Sequence, residues 1–212
     1  MSDSIENNTD SIRAHLKALR AAQDPLESRR GALLIRGRLF TWLATIREQQ
    51  QNQGRRVFKN IAAFWSLPQE PELQPLLYQW VEEEDISVSL PVVTGPDKPL
   101  EFRLWTPDTD MKAGAFGIDE PLGEPAPAPD VVLVPALGFT RAGDRLGYGK
   151  GYYDRTLAAL RAQGHSFTTL GIAWACGDMD HLGLSHVPQP HDIPLDAILT
   201  DKGWPKKPTD WV

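Results

Sequence analysis

Val131-Val132-Leu133-Val134-Pro135 is an unbroken apolar run followed by a glycine-rich stretch. A run without polar alternation reads as a strand buried on both faces, the kind found in parallel sheets covered by helices. Short apolar runs at residues 61–67, 87–93, 100–105, 170–174 and 197–200 read as further strands. Helical patterns at 11–22, 26–50, 71–84 and 152–163 alternate with them. Residues 113–129 hold four prolines and three glycines and are expected to be mostly loop. The predicted fold class is therefore α/β, a single-domain, three-layer fold with a mostly parallel central sheet flanked by helices. Residues 1–10 are expected to be a disordered leader and 11–212 one domain. In such folds ligands bind beyond the carboxyl ends of the strands, which directs attention to the loop after Pro135.

In the first helix, Ile12, Leu16 and Leu19 form one apolar stripe, and Arg13, Lys17 and Arg20 repeat the same spacing beside it. The second helix has Leu33, Leu34, Phe40, Leu43 and Ile46 as candidates for burial, and the polar residues and glycine of 51–54 end it. Residues 11–60 carry 11 Lys/Arg against only Asp24, Glu27 and Glu48, whereas 61–212 carry 11 Lys/Arg against 22 Asp/Glu. The net charge of −6 argues against a general nucleic-acid binder, which needs a broad basic surface. No apolar run approaches the roughly 20 residues that span a bilayer. The acidic, polar first ten residues do not have the pattern of a secretory signal. The single cysteine, Cys176, suits a reducing compartment, and a cytoplasmic location is expected. His181, His186 and His191 are equally spaced, a pattern that matches no common structural zinc site.

The loop itself reads Arg145-Leu146-Gly147-Tyr148-Gly149-Lys150-Gly151-Tyr152-Tyr153-Asp154-Arg155. Glycines at alternate positions allow close backbone approach and inward-turned amides. A helix N-terminus adds partial positive charge, and Lys150 adds a flexible point charge for a phosphate. It is not a Walker A loop, since Gly151 stands where Ser or Thr would hold magnesium. Nor does the glycine spacing match the dinucleotide fingerprint. The parts fit a polyphosphate cradle.

The string from Arg145 to Arg155, with Pro135-Ala136-Leu137-Gly138-Phe139 and Gly143 before it, closely resembles the signature of the 5-formyltetrahydrofolate cyclo-ligase family, also called methenyltetrahydrofolate synthetases. Further similar segments fall in the right order: the basic first helix, Phe64-Trp65-Ser66-Leu67-Pro68-Gln69-Glu70, Phe116-Gly117-Ile118-Asp119-Glu120-Pro121, and His191-Asp192 with Asp196. The resemblance implies an ATP- and Mg2+-dependent enzyme closing 5-formyltetrahydrofolate to 5,10-methenyltetrahydrofolate with release of ADP and phosphate. It implies Lys150 and Arg145 as catalytic cations. Arg13, Lys17, Arg145, Gly147, Tyr148, Gly149, Lys150, Gly151, Tyr152 and Tyr153 are the implied ATP-binding residues. Glu70, Trp105, Tyr148 and Tyr152 are the implied substrate-binding residues, and Asp154 and Asp192 the metal ligands. The implied substrate is a small reduced formyl folate, with no nucleic-acid or membrane partner, acted on by a monomer. Three departures bear on the folate pocket: Thr140 where the family often has Asp, Leu73 where many members have Thr, and no obvious glutamine in residues 176–185. They leave open a non-catalytic nucleotide- or folate-binding regulator, or the same chemistry on another formyl or amide compound.

Overall fold

A computed structural model describes residues 8–208. In chain order, it comprises α1 (Thr9–Ala21), α2 (Pro25–Asn52), β1 (Asn60–Ala62), α3 (Gln74–Glu83), β2 (Ser87–Val92), β3 (Glu101–Trp105), β4 (Met111–Ala113) and β5 (Asp119–Pro121). Then come β6 (Val131–Pro135), β7 (Gly138–Phe139), β8 (Arg145–Leu146), α4 (Tyr152–Ala162), β9 (Thr168–Ile172), β10 (Ala197–Thr200) and β11 (Gly203–Lys206). Seven strands form one sheet in the order β11-β10-β9-β6-β1-β2-β3. The five inner strands are parallel, and β3 and β11 run antiparallel along the two edges.

The central strand β6 shows why this is a three-layer fold. Its alternate side chains point to opposite faces. Val131 and Leu133 pack with Ile35, Leu39 and Leu43 of α2 and Leu77 and Trp80 of α3. Val132 and Val134 pack on the other side with Leu157 of α4. Helix α1 belongs to neither layer: Ile12 and Leu16 cover Leu137, Leu146, Met179 and Leu184. It therefore sits over the segments that leave the carboxyl end of β6. Helix starts follow local chemistry. Asn8 accepts the amides of Asp10 and Ser11, and Asp24 accepts those of Leu26 and Glu27, with Pro25 at the first helical position.

The α/β arrangement agrees with the sequence expectation, and several details differ. Leu33 and Leu34 are 62% and 48% exposed. The buried stripe of α2 is Ala32, Ile35, Leu39, Trp42, Leu43 and Ile46, so Leu33 and Leu34 lie off it and Phe40 is only half-buried. The expected strand at 61–67 pairs only over Asn60–Ala62 before the chain turns away. The loop expected at 113–129 contains the antiparallel β4–β5 pairing. Strand β11 was not foreseen; its Pro205 is tolerated because the strand lies on an edge. Of the expected leader, residues 1–7 lie outside the described residues, Asn8 is a helix cap, and Thr9 and Asp10 are already helical. Among the described residues, no helix is long and apolar enough to cross a membrane.

Candidate active site

Past Pro135 the chain pairs Gly138–Phe139 with Arg145–Leu146, which brings the glycine-rich segment back beside α1. The turn between them is closed by Thr140, whose amide donates to the Asp144 carbonyl at 2.9 Å and whose hydroxyl lies 3.0 Å from the Asp144 carboxylate. Two glycines in the loop are demanded by the backbone. Gly149 has φ 87° and lies under Arg13, whose guanidinium carbon would be 3.2 Å from an added Cβ. Gly151 has φ 64° and is the N-cap of α4. Having no side chain, it leaves the first-turn amides of α4 without a side-chain acceptor, which is the electrostatic situation that favours an anion.

The loop forms one wall of a cavity of about 470 Å³. Of the residues expected to form the site, Arg13, Glu70, Arg145, Gly147, Tyr148, Gly149, Lys150, Gly151, Tyr152, Tyr153, Asp154 and Asp192 line it. Lys17 is not on the wall; its ammonium lies 5.9 Å from the Tyr148 ring centroid. Trp105 is not on the wall either. It is 3% exposed and packs edge-on against Trp65 and Tyr78, with ring centroids 5.7 and 5.1 Å away. Trp65 is the tryptophan that faces the cavity. Trp105 ends β3 and Trp65 lies in the irregular segment after β1, so only their packing across the fold decides which of the two reaches the cavity.

Charge is arranged in three groups. Arg13 donates from Nε to the Gly147 carbonyl at 3.1 Å and pairs with Asp10 at 2.7 Å, so the helix cation is held against the loop. Lys150 is exposed at the loop crest, and its carbonyl accepts from Arg155 at 2.8 Å. Arg145 and Asp154 form a pair at 2.6 Å, with side chains only 7% and 12% exposed. Asp154 Oδ1 also accepts the Ile193 amide at 3.3 Å, while Arg145 Nε is buried without a hydrogen-bond partner among the described residues. The expected second phosphate cation is thus tied to the expected metal ligand.

Glu70 is 7% exposed. Burial raises its carboxyl above the ordinary range, opposed by the Leu67 amide at 3.0 Å, the Tyr148 hydroxyl at 2.8 Å and the charge of Arg20. Tyr148 is shifted upward too, by burial first and by Glu70 second, so its hydroxyl stays protonated. Beyond the anticipated residues, Phe116, Ile118, Glu120, His186 and Val187 line the cavity. Phe116 is 62% exposed at φ 63°, edge-on to Tyr152 at 6.1 Å. None of the three departures reaches the wall. Leu73 is fully buried in the core, Thr140 is spent on its turn, and residues 176–185 lie outside the lining.

The acidic groups suit a hard cation. Asp154 and Asp192 both line the cavity, and among the described residues no group of three His, Cys, Asp or Glu gathers. Mg2+ takes one or two carboxylates and completes its shell with phosphate oxygens and water, so this sparse set fits it.

A family model for the 5-formyltetrahydrofolate cyclo-ligase family matches residues 5–201. The 5-formyltetrahydrofolate cyclo-ligase of Haemophilus influenzae is 36% identical over 152 residues, 68% of this chain and 77% of that protein. The Escherichia coli enzyme of the same name is 28% identical over 184 residues, 77% of this chain and 94% of its own. Among solved structures, the 5,10-methenyltetrahydrofolate synthetase of Aquifex aeolicus superposes with TM-score 0.70 at 24% identity, covering 96% of this chain and 94% of that one. The synthetase of Mycoplasma pneumoniae gives 0.67 at 22% identity, covering 92% and 99%. At these identities the two structures speak for the fold.

Proposed function

The chain belongs to the 5-formyltetrahydrofolate cyclo-ligase family, and from that premise we propose that it uses ATP to convert 5-formyltetrahydrofolate to 5,10-methenyltetrahydrofolate. The observation that carries this reading is a single cavity walled both by the glycine loop with Lys150 and by the buried carboxylate of Glu70 among aromatic rings. It offers a place for a polyphosphate and a place for a flat heterocycle with N–H donors.

An N-formyl group is amide-like and a poor electrophile. Transfer of the terminal phosphate of ATP to the formyl oxygen turns that oxygen into a leaving group. N10 of the folate then attacks the formyl carbon, the C–N bond closes the ring, and the C–O bond breaks with release of phosphate, which takes up the N10 proton; ADP is the other product. Such a transfer depends on positioning and charge neutralisation more than on covalent chemistry by the protein. Lys150 and the amides of residues 147–151 hold the transferring phosphate. Arg13 meets the nucleotide from α1, and Lys17, off the cavity wall, adds its charge from the next turn of that helix. Arg145 orients Asp154 and lends positive charge beside it. Asp154 and Asp192 would hold Mg2+, which supplies further neutralisation of phosphate charge when bound. Glu70 accepts hydrogen bonds from the pterin, and Tyr148, Tyr152 and Trp65 flank its rings.

The test is to mix the purified protein with 5-formyltetrahydrofolate, ATP and magnesium and to follow the absorbance of the methenyl product. A rise that requires all three is expected. Folded protein that binds ATP and folate but forms no product would replace this reading with a binding role. ADP release driven better by another formyl or amide compound would move the substrate.

A further inference from the structure

Helix α1 presents Arg13, Lys17 and Arg20 along one edge, but only Arg20 is driven into the protein, at 5% exposure. Its Nη2 donates to the carbonyl of Ala136 at 2.8 Å and its Nη1 to the hydroxyl of Tyr148 at 2.7 Å. Ala136 is tied by its own amide to Ile172 of β9, so the guanidinium is anchored to the sheet rather than to a movable loop. The Tyr148 hydroxyl lies 2.8 Å from Glu70 Oε1, and Glu70 Oε2 accepts the Leu67 amide at 3.0 Å. A hydroxyl has one hydrogen and a guanidinium can only donate. With Arg20 donating to the Tyr148 oxygen, the hydroxyl hydrogen points to Glu70. Both carboxylate oxygens are then fixed, and each retains acceptor capacity for a ligand in the cavity that Glu70 lines.

We propose that Arg20 is a positioning residue for the folate end of the site: anchored on the Ala136 carbonyl, it orients the Tyr148 hydroxyl and, through it, the carboxylate of Glu70. This rests on the reading of Glu70 as the folate-binding carboxylate. The planar guanidinium serves two acceptors in different directions, which a lysine ammonium on a flexible stem does not reproduce. The chain of contacts joins α1 to the floor of the folate site, whereas Arg13 on the same helix faces the phosphate loop.

Equilibrium binding to the full-length protein tests this, with 5-formyltetrahydrofolate and ATP titrated separately and the thermal midpoint measured for each variant. Arg20→Lys and Tyr148→Phe are each expected to weaken folate binding about tenfold, the scale of one hydrogen bond to a charged group. In Arg20→Lys, ATP affinity is expected to stay within about twofold, and the double variant is expected to be no weaker than the weaker single one, because the two residues act in series. Tyr148→Phe leaves Arg20 on its Ala136 anchor, so it must reproduce the loss by itself even if Arg20→Lys folds poorly. Unchanged folate binding in folded Arg20→Lys, additive losses in the double variant, or equal losses for ATP and folate would each overturn the positioning role. Wild-type protein that binds no folate would instead sink the functional reading.

Discussion

Lys150 and Glu70, both proposed ligand contacts, sit in opposite surroundings. Lys150 stands on an exposed crest, and in the proposed reaction it contributes its charge. Lys150→Ala should therefore keep its thermal midpoint while turnover falls by about a hundredfold or more, the loss typical of a removed transition-state charge contact. Wild-type turnover in that variant would take Lys150 out of the chemistry. Glu70 is prepared by burial. Its carboxyl sits above the ordinary range because desolvation outweighs the Leu67 amide, Tyr148 and Arg20. The ionised acceptor is lost as pH falls through that raised value, so KM for the formyl folate should climb on the acid side sooner than an exposed carboxylate would allow. Glu70→Gln should flatten that limb in a pH series of KM. The linkage sign for stability is the reverse of the usual carboxylate: a raised folded value means that folded-state stability declines as pH rises through it. Asp154 is different again, since it is half of a buried ion pair. Asp154→Asn should raise the magnesium needed for half-maximal turnover. It should also cost about 3 kcal/mol in denaturant unfolding, because Arg145 is left buried without its partner.

Elements were legible where a single periodicity ruled. The apolar stripe of α1, the doubly buried β6 and the start of α4 after a glycine all stand where the sequence implies. Helix α2 was legible as a helix but not in its facing, because Leu33 and Leu34 sit beside the true stripe and nothing local ranks one apolar face over another. Its start is local chemistry: Asp24 accepts two amides that no helical carbonyl reaches. Asp24→Ala should lower stability by about 1 kcal/mol in urea unfolding without changing turnover. The short pairs β4–β5 and β7–β8 were invisible as strands, being two or three residues long and held by partners the sheet brings to them.

Across the molecule, the basic first quarter and the acidic remainder turn out to be complementary. Arg36 reaches the carbonyl of Glu72, Arg38 that of Asp201 and Arg47 that of Glu84, while Arg56 pairs with Asp130 and Lys59 with Asp85. Several cations of residues 11–60 are thus spent on bringing α2 and β1 onto the rest of the fold. Asp130 is the centre of this exchange. It is 4% exposed and accepts the amides of Lys59 and Asn60 at 2.8 and 2.9 Å, joining the entrances of β1 and β6. Asp130→Ala leaves those donors unmet and should cost about 3 kcal/mol, read as a lower urea midpoint. An unchanged midpoint would show that water satisfies them.

The amino-acid sequence by itself determined the α/β class, the glycine-rich loop after β6 and 12 of the residues that line the cavity, because periodicity, glycine spacing and a contiguous motif are local properties. Tertiary structure alone decided that Trp65 rather than Trp105 faces the cavity, and that Arg145 is committed to Asp154. It also decided that Arg20 reaches across more than a hundred residues to Ala136 and Tyr148. Those outcomes depend on which side chains lose water together, and burial of that kind is a property of packed elements that no window of sequence contains.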